Sequence, residues 1–367
     1  MTDKTASRSS SEVGFAGSAG IVSVMAKCAF VSFRLGMADG VSVVARNWGR
    51  AVEQLGFEVI TVAGEGPVDR TVPGLAIAAT DPPSSAELIE ALADADLVVV
   101  ENLCTIPLNL PAARATAAVL RGRPTIMHHH DPPWQRERFA HISELPIDDA
   151  DWRHVTINLS TKKQMQKRGF AATCIYNGFA TATGAGDRSG VRRRLGVGES
   201  DLLIAHPVRA VPRKNVARAV ALCEQLGGAY WLWGPAEEGY DDELARLLRS
   251  ASCRVVHGTN GESAVDLYRA ADAVVFPSTW EGFGNPPVEA SIHRVPVAVA
   301  DYPVAGELRA LGFEWYPTDD PEPLRTALRV GDDARIERNR RVAVKHLSLP
   351  VMTEAIAALL AAAGWLP

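Results

Sequence analysis

The chain has 367 residues and a mass of 39.3 kDa, 47% of them apolar and 22% charged, a balance that supports a packed core and excludes wholesale disorder. At about 100 to 200 residues per domain the length favours two domains. With 38 Lys and Arg against 43 Asp and Glu, the net charge of −5 leaves no positive excess for a phosphate backbone, so nucleic acid is not expected as a partner.

In chain order, residues 1–20 form a polar, serine-rich run that reads as a disordered tail. The apolar stretch from Ile21 to Phe33 is broken by Lys27 and has no charged leader directly before it, which argues against a secretory signal. From there on, short apolar runs alternate with helical stretches, the pattern of βαβ units around a parallel sheet. Strands are expected at Met25–Phe33, Glu58–Ala63, Leu97–Glu101, Thr125–His129, His154–Asn158 and Thr173–Tyr176. After the first of them, Val44, Trp48, Ala51 and Leu55 place an apolar stripe on one helix face, and Gly56 supplies the residue that closes the helix. The run Ala180–Gly190, dense in Gly, Thr and Ala, reads as an interdomain linker. The alternation then restarts, with strands at Leu202–His206, Ala229–Trp233, Arg254–His257, Ala273–Phe276 and Val295–Ala300.

The apolar run Ala355–Leu366 falls short of the roughly 20 residues that cross a bilayer and is expected as a packed helix. Cysteines 28, 104, 174, 223 and 253 show no Cys-x-x-Cys spacing, which points to reduced thiols in the cytoplasm rather than to disulfides or zinc. The fold class expected is α/β with two doubly wound, Rossmann-like domains. The N-terminal domain covers 21–180, a linker 181–190 and the C-terminal domain 191–345, and a last helix over 346–367 packs back on the N-terminal domain. Ligands of such a pair sit at the carboxyl ends of the strands and in the interdomain cleft.

Three strand-to-helix loops suit an anion, because helix N-termini offer unpaired N–H groups and a positive dipole end. In Gly36-Met37-Ala38-Asp39-Gly40-Val41, two glycines let a backbone approach a ligand, although glycines there also serve as plain turn residues. In Arg209-Ala210-Val211-Pro212-Arg213-Lys214, cations at a helix start oppose the dipole unless an anion lies between; Arg213 reads as a solvated charge. Arg192, Arg193 and Arg194 likewise read as the solvated face of a surface helix. The third loop, Ser278 to Glu289, carries Glu281 before a helix and Glu289 within it, two carboxylates able to accept paired hydrogen bonds from vicinal hydroxyls. Gly282 and Gly284 keep the backbone compact, and Pro286 or Pro287 suits the first helical turn.

His128-His129-His130-Asp131 closes a strand. Consecutive strand residues point to opposite faces, so three histidines cannot converge on one metal. One imidazole beside Asp131 suits a substrate hydroxyl or a leaving phosphate, while His128 and His129 read as packing residues.

These motifs resemble family 4 of the retaining, nucleotide-sugar-dependent GT-B glycosyltransferases, over residues 25 to about 345. The resemblance rests on the Glu-x7-Glu pattern from Glu281 to Glu289 with its internal Phe-Gly, on Glu289-Ala290 and Pro296-Val297, on the spacing of Arg209 and Lys214, and on Asn177-Gly178. The chain departs from the pattern at Val208 and Arg294, where glycine is usual, and at Phe179-Ala180. The resemblance implies transfer of a sugar from a nucleotide diphosphate sugar to an acceptor hydroxyl, with retention, and with catalytic residues His130, Glu281, Arg209 and Lys214. It further implies that Glu289 binds the ribose, Glu281 the donor sugar, Arg209 and Lys214 the diphosphate, and Gly40, Phe283, Gly284 and Asn285 the donor through their backbone. Whether His129 or His130 faces the reacting sugar stays open. Asp39, Asp131 and Trp134 are acceptor-side candidates, Trp134 for stacking or for packing. No metal and no cofactor are expected, since protein cations carry the charge. The donor base and sugar, the acceptor and the oligomeric state are left open, as is peripheral membrane contact should the acceptor be a lipid. The rivals are another GT-B chemistry, an epimerase or phosphorylase, or a non-catalytic nucleotide-sugar-binding protein. A dehydrogenase is disfavoured by the missing Gly-x-Gly-x-x-Gly.

Overall fold

Apolar runs bounded by turns fold here as parallel strands joined by helices, and the computed structural model describes Met1 and residues 25–37, 39–259 and 261–367. The expected tail therefore lies, apart from Met1, outside the described residues, as does Ala38 of the first glycine loop.

The first half runs β1 (Lys27–Arg34), α1 (Gly40–Gln54), β2 (Glu58–Glu65), β3 (Arg70–Thr71), α2 (Ser85–Ala91), β4 (Leu97–Glu101), α3 (Leu110–Leu120), β5 (Thr125–His129), β6 (Trp152–Thr156), α4 (Leu159–Gln166) and β7 (Ala172–Cys174). Its parallel sheet has the order β3-β2-β1-β4-β5-β6-β7. Helices cover both faces, so β4, Leu-Val-Val-Val-Glu, is buried along its whole length instead of alternating. That leaves Glu101 in the interior at a strand end.

The second half runs α5 (Arg188–Arg194), β8 (Leu203–His206), α6 (Val216–Leu226), β9 (Ala229–Leu232), α7 (Asp241–Ser250), β10 (Val255–His257), α8 (Ala264–Ala270), β11 (Ala273–Phe276), α9 (Asn285–Ile292), β12 (Val297–Val299), α10 (Pro303–Ala310), α11 (Glu322–Val330), α12 (Asp333–Leu347) and α13 (Leu349–Ala363). The sheet order is β10-β9-β8-β11-β12, again parallel. In each sheet the chain reverses its direction of travel between two neighbours, β1 and β4 in one and β8 and β11 in the other. Such switch points open a crevice at the carboxyl ends of the strands, where ligands bind.

Several boundaries differ from expectation for local reasons. Strand β6, expected to run to Asn158, ends at Thr156, because Asn158 caps α4, its Oδ1 accepting from Thr161 N at 2.6 Å. The run 180–190 gives its last residues to α5, which Asp187 caps by accepting from Gly190 N at 2.8 Å. The basic run is corrected too. Arg192 is fully buried, donating to the carbonyls of Gly198, Asp201 and Ala270 and pairing with Asp272 at 3.2 Å, so it fastens α5 to the sheet. A buried guanidinium with this many acceptors is a structural tie rather than a solvated face.

The chain passes between the halves twice. Phe179 N donates to Leu347 O at 2.8 Å and Leu349 N to Phe179 O at 2.9 Å, so the two crossings lie hydrogen-bonded side by side. Beyond them, α13 buries Met352, Ile356 and Leu360 against Val44, Trp48 and Val52 of α1. All five cysteines are free, and no helix among the described residues is long and apolar enough to cross a membrane.

Candidate active site

The C-terminal wall of the cleft is built by the loops that leave β8 and β11, the two strands beside the switch point. From the first comes Lys214, whose Nζ lies 2.5 Å from Glu281 Oε1 on the second. Burial pulls the Lys214 ammonium below the usual lysine range, against the opposing pull of the Glu281 charge. Arg213, expected as a solvated charge, instead donates to Glu281 Oε2 at 3.2 Å, because Thr279 N binds Arg213 O at 2.9 Å and draws the loops together. Arg209 turns to a different carboxylate, Glu237, at 2.5 Å. Lys214 and Arg213 are thus held by one acid of the protein, and Arg209, which does not join them on Glu281, by another.

Glu289 sits inside α9 and accepts from Tyr268 Oη at 2.6 Å; burial raises its carboxyl above the ordinary glutamate range, with the Tyr268 hydrogen bond opposing. Gly284 takes φ +94°, and a Cβ there would stand 2.2 Å from Tyr302 Oη, so glycine is demanded by shape as well as by backbone. Phe283 is buried between the rings of Tyr176 and Phe179, each 6.1 Å away. Arg294, where the family pattern has glycine, keeps the left-handed turn at φ +62° and pairs with Glu337.

The N-terminal wall is a buried hydrogen-bond network at the ends of β4 and β5. Strand alternation separates the three histidines. His129 points to one face, bonded to Thr105 Oγ1 at 2.7 Å and to His154 Nδ1 at 2.8 Å, with His154 in turn 2.8 Å from Asp148. His128 and His130 point to the other, and both contact Glu101, at 3.0 and 2.8 Å. Ligand atoms of Glu101, His128 and His130 lie within 4.8 Å of one another, with the carboxylate at the distances of direct N–H···O bonds to both rings. Burial works against the Glu101 charge, but its two histidine partners outweigh it and hold the carboxyl below the glutamate range. Burial first, and then the neighbouring His154, His128 and His130, keep His129 well below the usual histidine range.

The walls meet. A Cβ on Gly282 would stand 3.0 Å from His130 O and 3.7 Å from Asp131 Oδ1. Asn158 Nδ2 donates to Gly282 O at 2.7 Å, and Asn177 Nδ2 to Asn285 Oδ1 at 3.1 Å. On α10, Glu307 accepts from Leu159 N, Ser160 N and Tyr176 Oη, tying the first turn of α4 to the second half at 2.7, 3.1 and 2.7 Å. Arg136 lies 5.7 Å over Trp280 and pairs with Asp131 at 3.0 Å. Burial works against the Asp131 charge, and Arg136 outweighs it to lower the carboxyl.

The structure therefore brings His130, Asp131, Lys214 and Glu281 to one cleft, with Arg213 added. Gly40 opens α1 with free space where its Cβ would be. Asp39 spends its carboxylate on capping α1, accepting from Val41 N and Ser42 N at 3.1 Å. Trp134 donates to Gln164 at 2.7 Å and carries Arg168 at 4.0 Å over one ring face. A further groove of about 470 Å³ at the ends of β9 and β10 is lined by Trp233, Pro235, Ala236, His257 and Gly258 among others, and Trp233 Nε1 is buried without a partner among the described residues. Sequence reasoning missed this groove, Arg136, Glu307, Glu101 and Asn102; the acid closing an all-apolar strand was the one signal available for Glu101.

Residues 187–329 match the family model of glycosyl transferases group 1. The chain is 24% identical to mannosylglucosylglycerate synthase of Petrotoga mobilis over 77% of this chain and 84% of that protein. It is also 24% identical to the enzyme of the same name from Thermotoga maritima, over 80% and 85%. Its structure is similar to that of Anabaena Alr3699/HepE in complex with UDP-glucose, with a TM-score of 0.72, 20% identity and coverage of 92% of this chain and 99% of that one.

Proposed function

We propose that this chain, a glycosyltransferase with the GT-B fold, moves a sugar from a nucleotide diphosphate sugar to an acceptor hydroxyl with retention of anomeric configuration. One observation carries the reading: Lys214 and Arg213 share Glu281 in the cleft wall that touches the His130–Asp131 turn. A diphosphate is the ligand that can take these cations from their carboxylate. Lys214 and Arg213 then neutralise the leaving group, and Arg209 joins them by leaving Glu237. Glu281, released, accepts hydrogen bonds from the sugar hydroxyls. Glu289 takes the ribose, and the base enters the groove beside Trp233, whose unpartnered N–H suits a carbonyl oxygen.

Catalysis in this reading comes from holding two substrates together and from stabilising charge as it develops on the departing diphosphate. The protein's cations supply that charge without a metal or a cofactor. Five free cysteines fit a cytoplasmic setting. The names of the relatives rank mannosyl donors and sugar-linked glycerate acceptors first for assay, with UDP-glucose next from the structural neighbour. The test is a thermal-shift screen with uridine, guanosine, adenosine and thymidine diphosphate sugars, followed by transfer with the stabilising donor. One donor is expected to raise the melting temperature and to yield a product of unchanged anomeric configuration. Inversion would overturn retention, and the absence of any stabilising donor would overturn the whole reading.

A further inference from the structure

Glu101 ends β4 fully buried, and its side-chain hydrogen bonds among the described residues run to His128 and His130. A carboxylate without donors is costly in the interior, and an ionised one has no proton to give. Both imidazoles therefore donate to it. The protons facing the carboxylate are then those on His128 Nδ1 and His130 Nε2. The rings then diverge in fate. His128 Nε2 is sealed without a partner among the described residues, its ring 4.3 Å from that of Trp48. His130 Nδ1 has no protein partner among the described residues and is not among the atoms sealed from solvent.

The next residue fixes the backbone of the same histidine. Asn102 adopts φ +60°, a conformation that asparagine tolerates better than most residues. From there its Oδ1 accepts from His130 N and Asp131 N, both at 3.1 Å. Ser32 Oγ donates to Glu101 O at 2.9 Å, which locks the strand end itself. Two consecutive residues on β4 and its turn thus hold both the ring and the main chain of the residue that follows the neighbouring strand β5.

We propose that Glu101 is a positioning residue for the transfer: it holds His130 as the Nε2–H tautomer, so that Nδ1 presents a lone pair to a substrate hydroxyl in the cleft. This rests on the reading of His130 as the histidine that faces the reacting sugar. The arrangement matches the logic by which a buried acid orients a working imidazole elsewhere, where loss of the orienting group costs from about tenfold upward in rate.

The experiment uses the full chain with 15N-labelled histidine, the His130 signals being assigned by their loss in His130→Asn. Wild type is expected to show Nε2–H at His130, and Glu101→Gln to redistribute the proton between the two nitrogens. In the same variant kcat falls about 10- to 100-fold while the donor KM stays within about twofold, and Glu101→Gln adds no further loss to His130→Asn. Slow donor hydrolysis without acceptor separates the two sources of the hydroxyl. It falls in step with transfer if the donor sugar supplies it and stays constant if the acceptor does. An Nδ1–H tautomer in wild type, which needs no variant to fold, overturns the proposal, as does a His130 spectrum unmoved by Glu101→Gln or an additive loss in the double variant. If the tautomer responds but His130→Asn transfers at the wild-type rate, the positioning stands and the catalytic reading of His130 falls.

Discussion

The two walls of the cleft solve the problem of buried charge in opposite ways. On the C-terminal wall, Lys214 and Arg213 are held by Glu281 and Arg209 by Glu237, cation against carboxylate, in pairs that an incoming anion can dissolve. On the N-terminal wall the charge of Glu101 meets imidazole N–H donors, and His129 and His154 are linked in a file ending at Asp148. Ion pairs can exchange partners, whereas the buried bonds from Glu101 to His128 and His130 fix two rings in place. The difference teaches that ion pairs in a cleft wall need not mark an inert surface: under the proposed function these pairs are the ones a diphosphate would take over.

Four measurements press on this contrast. The largest effect is expected for Lys214→Ala, which should lower kcat about 10²- to 10³-fold in initial-rate assays with the stabilising donor. A loss below tenfold would show that the C-terminal wall does not carry the leaving-group charge. Next comes Gly284→Ala, where the left-handed backbone and the Tyr302 hydroxyl both resist a Cβ; a loss of about 2 kcal/mol is expected in denaturant unfolding. The N-terminal wall should answer to acid instead. Burial lowers the pKa of His129 and His154, so the folded state keeps them neutral while the unfolded chain takes up protons below about pH 6.5. Stability should therefore be full above that pH and decline as pH falls through it, by about 1 kcal/mol per histidine at pH 5.5. Urea melts at pH 7.5 and 5.5 check this, and His129→Gln should flatten the slope. The smallest effect is expected for Arg294→Gly, which relieves a left-handed arginine and loses only a surface ion pair with Glu337, for a gain of up to about 1 kcal/mol seen as a higher melting temperature.

The same contrast explains what the amino-acid sequence reveals. Lys214, Glu281 and the compact Gly282–Gly284 turn are legible because helix starts, glycines and carboxylate spacing are local signals. The two parallel sheets are legible for the same reason, since apolar runs between turn residues mark strands whatever lies beside them. Glu101 is not, because its meaning comes from strand β5, which the sheet order sets beside β4. Asn158 looks like the end of a strand until the cap it forms on α4 is known. Arg192 looks like its neighbours Arg193 and Arg194 and differs by facing the sheet, where Asp272 and three carbonyls await it. Arg213 reads as solvated because the β11 loop that captures it lies some 68 residues away. In each case the missing information is a long-range partner.

The paired crossings at Phe179 and Leu347–Leu349 bear on how the halves can move. A single connecting strand acts as a swivel, free to twist as well as to flex. Two strands bonded edge to edge resist torsion and behave as a leaf hinge with one soft axis. Any relative motion of the halves would then favour that one axis, which keeps Gly282 opposite His130.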